Sequence, residues 1–196
     1  MEIISHAFWA GTAYKVVHKN KGSNQEKKKN FFLFIFWSIF PDMISFGLIF
    51  LWFLILTFAS GFDFSFLPKY AHSIDANEPP GPFLPIFKLT STLYDASHSA
   101  VIFFLVFGLF FWLLKNPPWS LLGWLLHILI DIPTHSYQFY PTPALWPLSG
   151  WKFHDGISWG TPWVLVLNYS AIILVYIFFW RRKKKEQKYE NYKSRF

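Results

Sequence analysis

The chain has 196 residues, of which 53% are hydrophobic, 23% aromatic and only 15% charged, a balance too apolar for an ordinary soluble domain and long enough for one membrane-embedded domain. It contains no cysteine, which excludes disulfides, thiolate zinc sites and cysteine nucleophiles and leaves His, Asp, Glu, backbone and water as metal ligands. The net charge of +7 does not point to nucleic acid, because the basic residues crowd into Lys15 to Lys29 and Arg181 to Lys193, each bordering an apolar segment, which is a membrane-orientation pattern.

The opening MEIISHAFWAGTAYK is apolar, lacks a basic n-region and carries a histidine, so it is expected to be retained rather than cleaved as a signal peptide. Ile3 to Val17 suits a short helix, followed by the basic loop KNKGSNQEKKKN. Phe31 to Phe58 is apolar over more than the roughly 30 Å of a bilayer core, and Pro41 within it is expected to break or kink the helix. Gly61 to Ser97 reads as a loop, since Asn77-Glu78-Pro79-Pro80-Gly81-Pro82 resists helix and strand alike. Two apolar helices follow near His98 to Leu114 and Trp119 to Ile132, expected to be antiparallel neighbours across Asn116-Pro117-Pro118. Pro133 to Gly160 is a second loop, with the Trp and Tyr of a membrane interface. Pro162 to Trp180 is the clearest span, and the tail beyond it is expected to be solvated, frayed or helical.

The expected fold is therefore all-α, a multi-pass membrane bundle of about four transmembrane helices plus a short N-terminal helix. Residues 1–180 form one domain and 181–196 a basic cytoplasmic tail. Positive-inside reasoning places Lys27 to Lys29, Lys115 and the Arg181 cluster on the cytoplasmic side of a cell membrane, with the two long loops outside.

Several ionisable residues interrupt this apolar pattern. By helical rise, His6 lies roughly 14 Å above Lys15, Asp42 roughly 20 Å above Lys29, His127 roughly 18 Å above Lys115, and His98 and Asp131 near 25 Å. Ligand-type residues from separate segments thus fall in one slab toward the outer half, where an unpaired charge costs several kcal/mol. His127 and Asp131 are four apart, on one helix face, and can chelate one cation. The pair by itself fits a buried ion pair at a helix end equally well. Singly, each of the others has a plain alternative: Asp42 as the N-cap of a helix after Pro41, His98 as a helix-start residue with Asp95 as the N-cap, His135 as a turn residue bonded to backbone.

The order of these residues, His6, Pro41-Asp42, Ser97-His98-Ser99 and Gly123-Trp124-Leu125-Leu126-His127-Ile128-Leu129-Ile130-Asp131, resembles the membrane-bound metal-dependent hydrolases, whose wider relatives include zinc-dependent phospholipases C and single-strand-specific zinc nucleases. The resemblance covers roughly Ser5 to Trp159. It implies that Asp42, His98, His127 and Asp131 bind one Zn2+, that His6 with bridging Asp131 helps bind another, and that His135 and His154 fall to a third. Ser158 stands where the family has its final Glu, and the gap from Asp131 to His135 is short, so one or two ions are expected rather than three. Leu93-Tyr94-Asp95 occupies the place where relatives often have His-Arg, and Met1 stands in place of the processed N-terminal Trp of the secreted enzymes.

The reaction so implied is hydrolysis of a phosphoester in a phospholipid or similar amphiphile drawn from the bilayer, with Asp42, His127 and Asp131 as catalytic residues and Asp42 as ligand or general base. Nucleic acid is not an expected partner, because the basic residues lie on the opposite face from the site. Two other classes fit the same residues: a non-catalytic protein whose metal ties helices together, and a cation or proton transporter. Against transport, no repeat and no paired interrupted helices are present.

Overall fold

The computed structural model describes residues 1–17, 24–61, 84–136 and 140–193, and these form helices, with no strand beyond an isolated antiparallel bridge between Ser136 and Asp155. The elements are α1 (Ile3–Val17), α2 (Asn24–Ser60), α3 (Leu84–Ser97), α4 (Ala100–Leu114), a 3-10 turn (Trp119–Leu121), α5 (Leu122–Thr134) and α6 (Pro162–Lys193). α2 is the central helix and packs against α1, α3 and α5, while α4 meets α5 and α6 meets α1.

Three sequence expectations change. α2 runs unbroken through Pro41, so Asp42 lies inside a helix and is not an N-cap. In an apolar surrounding, backbone groups released by a break find no water, and keeping the helix costs less. The expected loop at 61–97 contains α3 over its last fourteen residues, where apolar side chains such as Phe87 pack with Ile49 and Phe53 of α2; the NEPPGP run lies outside the described residues. The N-cap beside His98 is Ser99, which accepts a hydrogen bond from the Ile102 amide at 3.2 Å, whereas Asp95 pairs with Lys152 at 3.3 Å. Smaller differences are that α5 includes Pro133 in its last turn and that α6 continues through the basic cluster to Lys193.

α5 lies close against the α2 backbone. A Cβ on Gly123 would collide with the Phe34 carbonyl oxygen, so only glycine lets α5 lie this close to the α2 backbone. Around this contact Trp124, Leu121, Ile128 and Phe103 form one cluster with Trp37 and Phe40 against it, and Ala10, Tyr14 and Phe34 form another. At the other end of α5 the loop folds back: the amides of Ile157 and Trp159 donate to the carbonyls of Pro133 and Thr134 at 2.9 and 3.0 Å. That satisfies helix-end acceptors that would otherwise be orphaned.

Outside these clusters the surface is apolar, with Phe104, Leu105, Trp112, Ile173, Leu174 and Phe178 all exposed. Gln25–Ala59 and Pro162–Lys193 are long and apolar enough to cross a membrane, and a third span results if α3 and α4, bent by 63° at their junction, count as one. α5, with 13 residues, is only about 20 Å long and covers part of a bilayer core. α6 is joined to α1 by polar ties. Trp9 donates to Asn168 at 2.8 Å, Asn168 donates to Ser5 at 2.6 Å, and Tyr169 donates to Glu2 at 3.0 Å. Such interhelical hydrogen bonds tie apolar helices to one another.

Gly123→Ala is expected to destabilise the protein by about 1–3 kcal/mol through overpacking. The measurement is a denaturation curve in detergent micelles, and an unchanged midpoint would show that α2 and α5 do not approach as closely as described.

Candidate metal centre

The site is assembled where α2, the α3–α4 junction, α5 and the start of α1 meet. Asp42 comes from mid-α2, His98 from the bend between α3 and α4, and His127 and Asp131 from successive turns of α5. Trp124, one turn before His127, locks the bend by donating its indole N–H to the Ser97 carbonyl at 2.6 Å. Asp42, His98, His127 and Asp131 are all buried and offer ligand atoms within 4.8 Å of one another.

Hydrogen bonds fix which nitrogen of each imidazole is bare. His127 Nδ1 faces the Ser38 carbonyl at 2.7 Å, and a carbonyl oxygen can only accept, so Nδ1 carries the hydrogen and Nε2 presents a lone pair. His98 Nδ1 lies 3.1 Å from the Tyr94 carbonyl, which gives the same tautomer. The two bare Nε2 atoms then face each other at 3.0 Å. His127 Nε2 is also 3.1 Å from Asp131 Oδ2 and 3.7 Å from Asp42 Oδ1, and His98 Nε2 is 3.5 and 3.4 Å from the same two oxygens. Lone pairs and carboxylates turned toward one point in a buried space repel unless a cation lies between them. A tetrahedral ion held at 2.0–2.1 Å separates its ligands by about 3.3 Å, and the observed separations bracket that value. The donor set therefore fits a metal ion. Among the described residues Asp131 Oδ2 has no hydrogen-bond donor, as a metal-directed oxygen should.

The other oxygen of Asp131 serves a second group. His6 Nε2 lies 3.0 Å from Asp131 Oδ1 and His135 Nε2 lies 3.5 Å from it. The Met1 amine contacts Asp131 Oδ1 and is 2.8 Å from His135 Nε2. His135 Nδ1 meets the Tyr140 carbonyl at 2.9 Å and the Tyr94 hydroxyl at 3.0 Å, so its Nε2 is bare as well.

All the residues assigned to the first ion thus come together. His6 adjoins Asp131, and His135, which the resemblance assigned to a third ion, lies beside His6 on the far oxygen of Asp131. His154 is exposed and is not a member of the four-residue group. Sequence reasoning named Met1 only as a departure from the family's N-terminal Trp, and it missed the supporting acceptors at Ser38, Tyr94 and Tyr140. Backbone carbonyls leave no trace in residue identity. Tyr94 had a signal, since it stands in the Leu93-Tyr94-Asp95 departure; its carbonyl orients His98 and its hydroxyl meets His135. The chain matches no protein-family model, no curated protein and no solved structure.

Elemental analysis of the purified protein is expected to find a bound divalent metal, with His98→Ala and Asp131→Ala losing it and His154→Ala retaining it. Equal metal content in all four proteins would remove the centre from this location.

Proposed function

We propose that the chain is a multi-pass membrane protein of about four apolar spanning segments and a metal-dependent hydrolase, a phosphoesterase that acts on a phospholipid or related amphiphile with zinc as its metal. One observation carries this reading: two bare imidazole nitrogens and two carboxylates converge on one point inside an apolar bundle. Mixed imidazole and carboxylate donors suit zinc better than magnesium or calcium, which take oxygen. When bound, such a cation supplies Lewis acidity toward a phosphoryl oxygen and acidifies water.

The chain's own residues divide the remaining work. His98, His127 and Asp131 are fully enclosed and hold the ion. Asp42 alone of the four also borders an open cavity, so its carboxylate is the one placed to take a proton from water attacking a substrate there. The Ser38 and Tyr94 carbonyls keep His127 and His98 in the required tautomer, a supporting role that metal sites use widely. His6 Nε2 faces the Met1 carbonyl at 3.1 Å and so carries its hydrogen toward Asp131 Oδ1, which it steadies together with the Met1 amine.

A structural metal is the second reading, favoured by the enclosure of three of the four groups. The two readings separate on turnover. Full-length protein in mixed micelles is expected to release the phosphorylated headgroup from a fluorescent phospholipid, to stop on chelation, to recover with Zn2+, and to be inactive as His127→Ala. Asp42→Asn is expected to lower kcat by about 10²–10⁴ while keeping most of the metal. Bound metal with no turnover on any phospholipid tested would decide for the structural reading.

A further inference from the structure

A cavity of about 730 Å³ opens between the first turn of α1, the second half of α2 and the start of α3, a volume within the range of small-molecule pockets. Its two ends differ in chemistry. Asp42 and His135 lie at one end, and the walls beyond them are Phe46, Ile49 and Phe53 of α2 with Phe87 of α3. The apolar wall begins at the metal centre itself: Phe46 packs its ring 5.8 Å from Tyr94 and 5.3 Å from Tyr140, and these tyrosines hold His135. It closes where Phe53 meets Phe87 at 6.2 Å.

From Asp42 to Phe53 the helix rises about 16 Å. At standard carbon–carbon lengths that accommodates roughly a dozen methylenes in extended form. The groove offers few polar partners along this length, so sugar, peptide or nucleotide would be left with unpaired polar groups.

We propose that this groove binds a single alkyl chain of a phosphate-ester amphiphile, its terminal methyl near Phe53 and Phe87 and its phosphate at Asp42 and the adjoining metal centre. The inference rests on the hydrolase reading for what happens to the phosphate, but not for where the chain lies. Because Lys27 to Lys29 lie at the start of α2, the chain points away from the basic end of that helix. Chain length, more than headgroup identity, then selects the substrate.

The test uses the full chain, metal-loaded, in digitonin, which has no alkyl chain to compete. A dodecyl phosphate with a terminal diazirine is photolysed on the protein and the labelled peptides are mapped. Labelling is expected at 49–53 and around Phe87, lost when unlabelled dodecyl phosphate is added in excess and retained with inorganic phosphate. In parallel, hydrolysis of alkyl p-nitrophenyl phosphates is followed across chain lengths. KM is expected to fall roughly two- to fourfold per methylene until about a dozen carbons, then to level, and in Phe53→Trp to level at a shorter chain. Labelling confined to the groove without hydrolysis at any chain length keeps the chain site and removes the hydrolase reading. Hydrolysis with no dependence on chain length, or labelling spread over the exposed faces of α4 and α6, overturns the chain site and leaves the hydrolase reading standing.

Discussion

A carboxylate with no access to water governs this structure. Asp131 is fully buried, and an ion in so apolar a setting is tolerated only when both its oxygens find positive charge or donors. Its oxygens are divided: Oδ2 turns to His98 and His127, and Oδ1 turns to His6, His135 and the Met1 amine. Because His98 and His127 spend their N–H groups on backbone carbonyls, they bring lone pairs rather than protons to Asp131. A cation would resolve that conflict, and four segments converge where it would sit.

The backbone supplies what the side chains lack. Ser38 offers its carbonyl to His127 from a stretch of α2 that Pro41 deprives of an amide donor, since proline has no N–H to return to the Trp37 carbonyl. Pro41's own carbonyl accepts from Ser45 at 2.8 Å and from Ser97 at 3.3 Å. This ties the Pro41 turn of α2 to the bend that carries His98. The bond from His127 to Ser38 forms only where α5 reaches the α2 backbone, and Gly123 permits that approach. A proline within α2, a bend and a glycine contact therefore act as one unit that aims two imidazoles.

The polar ties between α6 and α1 extend the same unit. Asn168 and Tyr169 grip Ser5, Trp9 and Glu2, and that first stretch of α1 also delivers His6 to Asp131 and borders the apolar cavity. A helix whose other faces are exposed and apolar is thus held by the hydrogen bonds that steady one wall of the site.

Much was legible in the residues alone. The all-helical character follows from the long apolar runs, and α1 lies at Ile3–Val17 as its pattern predicts. The i, i+4 spacing of His127 and Asp131, set against the cost of ionisable groups among apolar ones, marked the core of the centre, and helical rise placed Asp42 and His98 near its level. Levels along helices do not say which faces meet. His135 shows this, since it joins His6 beside Asp131 with its ring held by the Tyr140 carbonyl, a partner that helical rise does not reveal. α3 was hidden because its sequence is less apolar than its neighbours and its packing partner, the second half of α2, is remote in the chain. Local chemistry thus determined which residues are able to bind a cation and that they sit in helices. The tertiary structure decided their tautomers, the division of Asp131 between two groups, and the cavity beside Asp42, because each of these depends on backbone carbonyls and helix faces brought together across the chain.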